Sequence, residues 1–63
     1  MMLMKIRSMR RAAGMTRKEL SLSMGVAPYV VEQWECETAL PRTRELPLLA
    51  KVLGCGIGDL FCR

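Results

Sequence analysis

The sequence contains no histidine and only three cysteines among its 63 residues. Cys36, Cys55 and Cys62 are odd in number and show no C-x-x-C spacing, so neither a zinc site nor a disulfide framework is indicated. No serine lies in a nucleophile motif, there is no histidine, and the carboxylates are dispersed or paired, so an enzyme is not expected. We therefore expect no metal, no other cofactor and three reduced thiols, as in a cytoplasmic protein.

Long apolar runs and strand-like patterns are also scarce. The basic beginning, "MMLMKIRSMRRAAGM", lacks the apolar middle region of about 7 to 15 residues that a signal peptide needs. The most apolar stretch, "LPLLAKVLGCGI", contains Lys51 and is too short for a membrane span. β-branched and aromatic residues never alternate with polar ones over a strand length. The composition, rich in Leu, Met, Ala, Arg, Lys and Glu, predicts an all-α protein.

The length of 63 residues allows one domain, predicted over residues 1–63, that buries roughly 60% of its unfolded surface. So thin a core relies on well-packed helices or on a partner subunit. The net charge is +4, but residues 1–18 hold six basic residues and no acid, and residues 19–37 hold four glutamates and no base. A basic surface of this kind suits nucleic acid or an anionic membrane, or is simply solvated.

Five helices are predicted, at residues 3–13, 16–24, 28–35, 44–53 and 57–61. Thr16 followed by Glu19 forms a capping box at the second helix, and Pro28 suits the first position of the third. The predicted inward residues follow helical spacing, with the last three as a lid: Ile6, Met9, Ala13, Leu20, Met24, Val31, Trp34, Leu46, Leu49, Ala50, Leu53, Ile57, Leu60 and Phe61.

Glycines mark the ends of three of these helices. Gly14, Gly25 and Gly54 each follow the last apolar residue of a predicted helix, where a left-handed conformation closes the last turn. Gly25 separates the second and third helices by so short a connection that they must cross steeply. This arrangement predicts a helix-turn-helix at about residues 16–36.

These segments resemble the phage repressor and Cro type of helix-turn-helix, a family of small bacterial and phage transcription regulators. The resemblance covers residues 6–61 and is densest in "GMTRKEL", "MGV", "VVEQWE" and "LPLLAKVLGCGIGDLF". It is carried by one combination of residues: Arg10, Leu20, Gly25, Val31, Trp34, Glu35, Pro41 and a Leu-Ala-x-x-Leu-Gly run. It implies a compact five-helix bundle of the lambda-repressor-like type, a bacterial or phage origin, and a recognition helix at residues 28–35 in the DNA major groove.

The resemblance also implies roles for individual side chains. Gln33 can pair with adenine N6 and N7, and Tyr29 can offer its hydroxyl or its ring. Val30 either contacts a thymine methyl or belongs to the core. The predicted base contacts are Pro28, Tyr29, Val30 and Gln33, and the predicted phosphate contacts are Thr16, Arg17, Lys18, Arg42, Thr43 and Arg44.

A structural ion pair between Arg10 and Glu35 is implied as well, since each lies next to apolar positions where an unpaired charge is costly.

Three residues depart from the family pattern. Ala27 replaces the usual Ser or Thr cap, Pro28 removes a polar side chain that many relatives direct at a base, and Glu37 stands where relatives often have glycine. The last departure predicts a differently shaped end of the recognition helix or of the loop after it.

The sequence thus predicts a small transcription regulator, expected to act as a repressor, that binds a palindromic double-stranded operator as a weak homodimer without a small-molecule ligand. One alternative is a protein-interaction module, such as an antitoxin or adaptor, for which the six methionines suit an adaptable surface. Another is a basic amphipathic membrane binder, which would require the first helix to expose its apolar side.

Overall fold

A computed structural model describes residues 4–61 of the protein. They form four α-helices, α1 (Ile6–Ala12), α2 (Arg17–Met24), α3 (Pro28–Cys36) and α4 (Leu46–Leu53), with two short 3₁₀ helices at Thr43–Glu45 and Ile57–Leu60. Within this part of the chain there is no strand, and an isolated antiparallel bridge joins Met4 to Phe61. The all-α prediction is confirmed.

The predicted count of five helices is wrong, because the segment predicted as a fifth helix is the 3₁₀ helix Ile57–Leu60. Four residues cannot offset the cost of nucleating an α-helix, and a single tight turn forms in its place. The predicted first helix is shorter than expected, since α1 begins at Ile6 and residues 1–3 lie outside the described part of the chain.

The fourth helix also begins later than predicted. An α-helix with Arg44 as its first residue would need a hydrogen bond from the backbone nitrogen of Pro47, which has no hydrogen to donate. The chain therefore passes through the 3₁₀ helix Thr43–Glu45 first. Helix α4 begins at Leu46, so Pro47 falls in the first turn, where backbone N–H groups have no partner within the helix.

The predicted signals at the ends of α2 are present. The Glu19 backbone N–H donates to Thr16 Oγ1 at 3.0 Å, and the Thr16 backbone N–H donates to Glu19 Oε1 at 2.8 Å. These bonds to the Thr16 backbone and side chain hold the pKa of Glu19 below its usual value. At the other end Gly25 has φ 70°, a conformation that costs glycine little. The chain thus reverses into α3 after a short connection.

The core draws on all four α-helices and on both ends of the described chain, and its buried side chains are Met4, Ile6, Leu20, Met24, Val31, Trp34, Leu49, Ala50, Leu53 and Leu60. Met9, Met15 and Leu46 pack against this core while partly buried. The described methionines therefore fill the interior and do not form an adaptable surface. None of the helices in residues 4–61 is long and apolar enough to cross a membrane.

Three residues predicted to face inward do not. Ala13 is exposed just beyond the end of α1, and Ile57 and Phe61 remain 41% and 39% exposed. A one-turn segment has only a narrow inward side, so Leu60 alone of the predicted lid is buried.

The packing of the helices determines which surface is available for a ligand. Helix α3 packs against both α1 and α2, and α2 also packs against α4. Support from α1 and α2 on the inner side of α3 leaves its outer side uncovered by the described residues.

Candidate nucleic-acid interface

Helix α3 has a buried side and an exposed side. Val31, Trp34 and Glu35 are 0%, 2% and 7% exposed, and their spacing places them on one side of a helix with 3.6 residues per turn. Tyr29, by contrast, is 63% exposed, and Gln33 is exposed four residues later. A polar and aromatic strip therefore runs along the outer side of α3.

The predicted base-contact residues are not equally available. Pro28, Tyr29 and Gln33 are exposed, whereas Val30 is half-buried and packs against the core. As expected from Ala27, the beginning of α3 has no side-chain cap. The Val30 backbone N–H donates to the Ala27 carbonyl at 2.9 Å. Tyr29 and Gln33 are thus the two accessible hydrogen-bonding side chains among the four predicted base contacts.

The other end of α3 carries backbone strain. Glu37 has φ 59° and ψ 28° and is the one non-glycine residue with positive φ among residues 4–61. Helix α3 runs one residue further than predicted, to Cys36. Glu37 takes the left-handed conformation that glycine adopts readily, so the chain turns at this point without a glycine.

The pair expected between Arg10 and Glu35 is present and buried. Arg10 Nε donates to Glu35 Oε2 at 2.6 Å, and Arg10 Nη2 donates to Glu35 Oε1 at 3.4 Å. Arg10 Nη1 donates in addition to the Met15 carbonyl at 2.8 Å. The pair therefore links α1 to α3 and to the segment that leads into α2.

Two further arginines contact the same carboxylate. Arg7 Nε and Arg17 Nε each donate to Glu35 Oε1 at 3.1 Å. We call Arg7, Arg10, Arg17 and Glu35 the Glu35 cluster. Burial on its own raises the pKa of Glu35, but the hydrogen bonds from Arg10, Arg17 and Arg7 outweigh it and hold that pKa below its usual value. Glu35 is accordingly ionised at neutral pH.

Sequence reasoning missed the place of Arg7 in this cluster. Arg7 and Arg10 are three residues apart in α1, a spacing that puts both side chains on one side of the helix. That spacing was a usable signal for placing Arg7 beside Arg10 and therefore near Glu35. Arg17 was predicted only as a phosphate contact, and its bond to Glu35 was not anticipated.

The predicted phosphate contacts lie at two helix beginnings. Thr16, Arg17 and Lys18 are exposed around the start of α2, although Thr16 Oγ1 already accepts the capping hydrogen bond. Around the 3₁₀ helix before α4, the Arg42 backbone N–H donates to Glu45 Oε1 at 2.7 Å. The exposed side chains at this second location are Arg42, Thr43 and Arg44.

The cysteines of the described residues form no site. Cys36 is an exposed free thiol and Cys55 a half-buried one, whose pKa is raised by burial and by nearby Asp59. Cys62 lies outside the described residues. Within residues 4–61 no three His, Cys, Asp or Glu side chains are grouped so that they could hold a metal ion.

Two helices that meet at Gly25, the second with its outer side exposed and arginines beside it, define a helix-turn-helix protein of the DNA-binding class. The model of the helix-turn-helix family matches residues 6–60. The chain belongs to this family, of the Cro and repressor type, whose function is that of DNA-binding transcription regulators. No curated protein matched the sequence.

Proposed function

We propose that the protein is a sequence-specific repressor that inserts the outer side of α3 into the major groove of double-stranded DNA. The observation that carries this proposal is that α3 has one buried side and one exposed side. Val31 and Trp34 are buried, whereas Tyr29 and Gln33 are exposed. An α-helix fits the major groove, where its side chains can read base edges directly. Repression then follows from occlusion of polymerase at a promoter.

Backbone phosphates fix the register of such a helix and supply most of its affinity. The exposed Arg17 and Lys18 at the beginning of α2, and the exposed Arg42 and Arg44 before α4, are the side chains assigned to that task. Thr16 and Thr43, which are also exposed, contribute hydroxyl donors. If about six phosphates are contacted per dimer, affinity falls about 10³-fold between 50 and 200 mM salt.

We further propose that two copies bind a palindrome, with half-sites about 10 bp apart. The surfaces assigned to weak pairing are the last 3₁₀ helix, Ile57–Leu60, and the loop at residues 36–43. In support, Ile57 and Leu40 are 41% and 51% exposed despite being apolar. A regulator of this size gains half of its specificity from its partner, because each copy reads only one half-site.

The test is a selection of duplexes from random DNA by the purified protein, followed by titration of variants on the selected sequence. Gln33→Ala should weaken binding by about 1–3 kcal/mol and relax the preference at one base pair. Arg17→Ala should weaken binding to all duplexes alike, because a phosphate contact carries no base information. Unchanged base preference in a folded Gln33→Ala variant would refute the assignment of α3.

An antitoxin or adaptor is the second candidate, and the exposed Leu48, Ile57 and Phe61 favour it, since apolar side chains on a surface suit a protein partner. The two functions differ in their response to salt. DNA binding weakens steeply as salt rises, whereas an apolar protein contact does not. Failure to retain any duplex at 50 mM salt, together with salt-insensitive binding to a protein, would replace the first proposal by the second.

A further inference from the structure

The Glu35 cluster is built in two layers. The Glu35 side chain is fully buried and that of Arg10 is 10% exposed, whereas the side chains of Arg7 and Arg17 are 39% and 43% exposed. The buried pair forms the floor of the cluster. Arg7 and Arg17 form its rim, where solvent or a ligand can reach them.

The two rim arginines have N–H donors that the cluster does not use. A guanidinium has five N–H groups, and Arg10 directs its own at Glu35 and at the Met15 carbonyl. Arg7 and Arg17 each donate through Nε alone. Among residues 4–61, the Nη groups of these two arginines have no hydrogen-bond acceptor. The cluster also joins three positive charges to one negative charge, so it carries an excess of two positive charges.

The two rim guanidiniums are held close together by a shared atom. Both Nε atoms lie 3.1 Å from Glu35 Oε1, so they are at most 6.2 Å apart. Like charges at this separation repel, and one carboxylate oxygen cannot neutralise both. An anion with several oxygens would accept from both arginines, and phosphate, like carboxylate, has a geometry that matches the planar guanidinium group.

The position of the rim specifies where this anion would lie. Arg17 is the first residue of α2, and Glu35 holds both rim arginines against α3, two residues after Gln33. An anion between Arg7 and Arg17 therefore lies beside the helix that is assigned to the major groove. A duplex positions its backbone phosphates along the two edges of that groove.

We propose that Arg7 and Arg17 together bind one backbone phosphate of the duplex, and that Glu35 sets the spacing between them. This inference rests on the proposed function. It adds Arg7 to the DNA-contacting residues and makes Arg7 and Arg17 a single two-pronged site, where the sequence had suggested Arg17 alone.

The test is fluorescence anisotropy on the selected duplex between 50 and 200 mM salt, with Arg7→Ala, Arg17→Ala and the double variant. Arg11→Ala is the matched control, because Arg11 is an exposed basic residue of α1 outside the Glu35 cluster. Circular dichroism checks that each variant is folded. Arg7→Gln, which retains a long polar side chain, replaces Arg7→Ala if the folded fraction falls.

We expect Arg7→Ala to weaken binding to every duplex and Arg11→Ala to have little effect. The double variant should lower the salt slope by about 0.9 per subunit, the value for one phosphate. This change reduces the loss of affinity between 50 and 200 mM salt by about 3.5-fold per subunit. A purely structural Arg7 would change the folded fraction of Arg7→Ala but not the affinity of the folded variant, because Arg17 would then bind the phosphate alone.

Two results would overturn the inference while leaving the proposed function intact. One is a folded Arg7→Ala variant that binds like Arg11→Ala. The other is a slope change of about 1.8 in the double variant, which indicates two separate phosphates. Absence of DNA binding by the unaltered protein would instead refute the proposed function itself, so the two failures are distinguishable.

Discussion

Replacement of Glu35 by alanine should destabilise the domain more than removal of any exposed charge. The Glu35 side chain is fully buried and accepts hydrogen bonds from three arginines. Its loss would leave Arg10, which is only 8% exposed, without an opposite charge. Removing one partner of a buried ion pair costs about 3–5 kcal/mol.

This loss is large compared with the stability of so small a protein. At roughly 0.05–0.15 kcal/mol per residue, a 63-residue domain has a total free energy of unfolding of roughly 3–9 kcal/mol. Glu35→Ala therefore removes between about a third and all of that stability. We expect the variant to be largely unfolded at 37 °C, or to unfold at a much lower urea concentration.

Urea unfolding followed by circular dichroism at 222 nm measures this effect. Glu32→Ala is the matched control, since Glu32 is exposed on the same helix and a substitution at an exposed site usually changes stability by less than about 0.5 kcal/mol. A loss below about 1 kcal/mol for Glu35→Ala, the range of surface ion pairs, would refute the argument that the cluster supports the fold.

A double variant separates the cost of leaving Arg10 unpaired in the interior from the cost of losing the ion pair itself. In Arg10→Met/Glu35→Leu both buried charges are replaced by apolar groups of similar size, so no unpaired charge remains in the interior. Such replacements are often neutral or stabilising. We therefore expect the double variant to be more stable than Glu35→Ala alone. A double variant that is no more stable would show that the loss does not arise from an unpaired Arg10.

Two further predictions concern the ends and the charge of α3. Glu37 has φ 59°, a backbone conformation in which a Cβ atom costs roughly 1–2 kcal/mol. In urea unfolding, Glu37→Gly should therefore be more stable than Glu37→Ala by about 1 kcal/mol. Both variants lack the side-chain contacts of Glu37, so equal stability of the two would contradict the backbone strain. Because the pKa of Glu35 is lowered in the folded state, its contribution to stability should be fully present above the unfolded value of about 4.3 and be lost as the pH falls through the folded pKa. The titration midpoint of the Glu35 carboxyl carbon, measured by NMR, should therefore lie below about 4.3, and a midpoint at or above that value would contradict this prediction.

The helix-turn-helix was the most predictable part of the structure, because its signals are local. The Thr16 capping box, Gly25 and Pro28 each specify the backbone within one or two turns, and the structure places a helix end at each of them. Apolar spacing likewise identified Val31 and Trp34 as buried. These features depend on neighbours in sequence and need no knowledge of the rest of the fold.

The Glu35 cluster was only partly predictable, because its three arginines are 18 to 28 positions away from Glu35 in sequence. The family resemblance supplied Arg10, but no local pattern shows which other arginines reach the same carboxylate. The choice depends on the crossing of α1 over α3, which spacing within either helix does not encode. The extra turn at Ile57–Leu60 was misassigned for a related reason, since a segment of one turn has too few residues to show a periodicity.

The arrangement of α1 explains why a charged cluster lies on the inner side of α3. Helix α1 has seven residues and no side-chain cap, and Ile6 is its one buried apolar residue. A helix of that length is not stable alone in water, so its position depends on contacts elsewhere. The Lys5 backbone N–H donates to the Leu60 carbonyl at 2.7 Å at one end, and Arg7 and Arg10 bind Glu35 along its length. Because Glu35 belongs to α3, the charges that hold α1 in place also fix the inner side of the helix assigned to DNA. A loss of the carboxylate should therefore weaken the fold and disorder the two rim arginines together, whereas a loss of Gln33 should weaken DNA binding and relax base preference without affecting the fold.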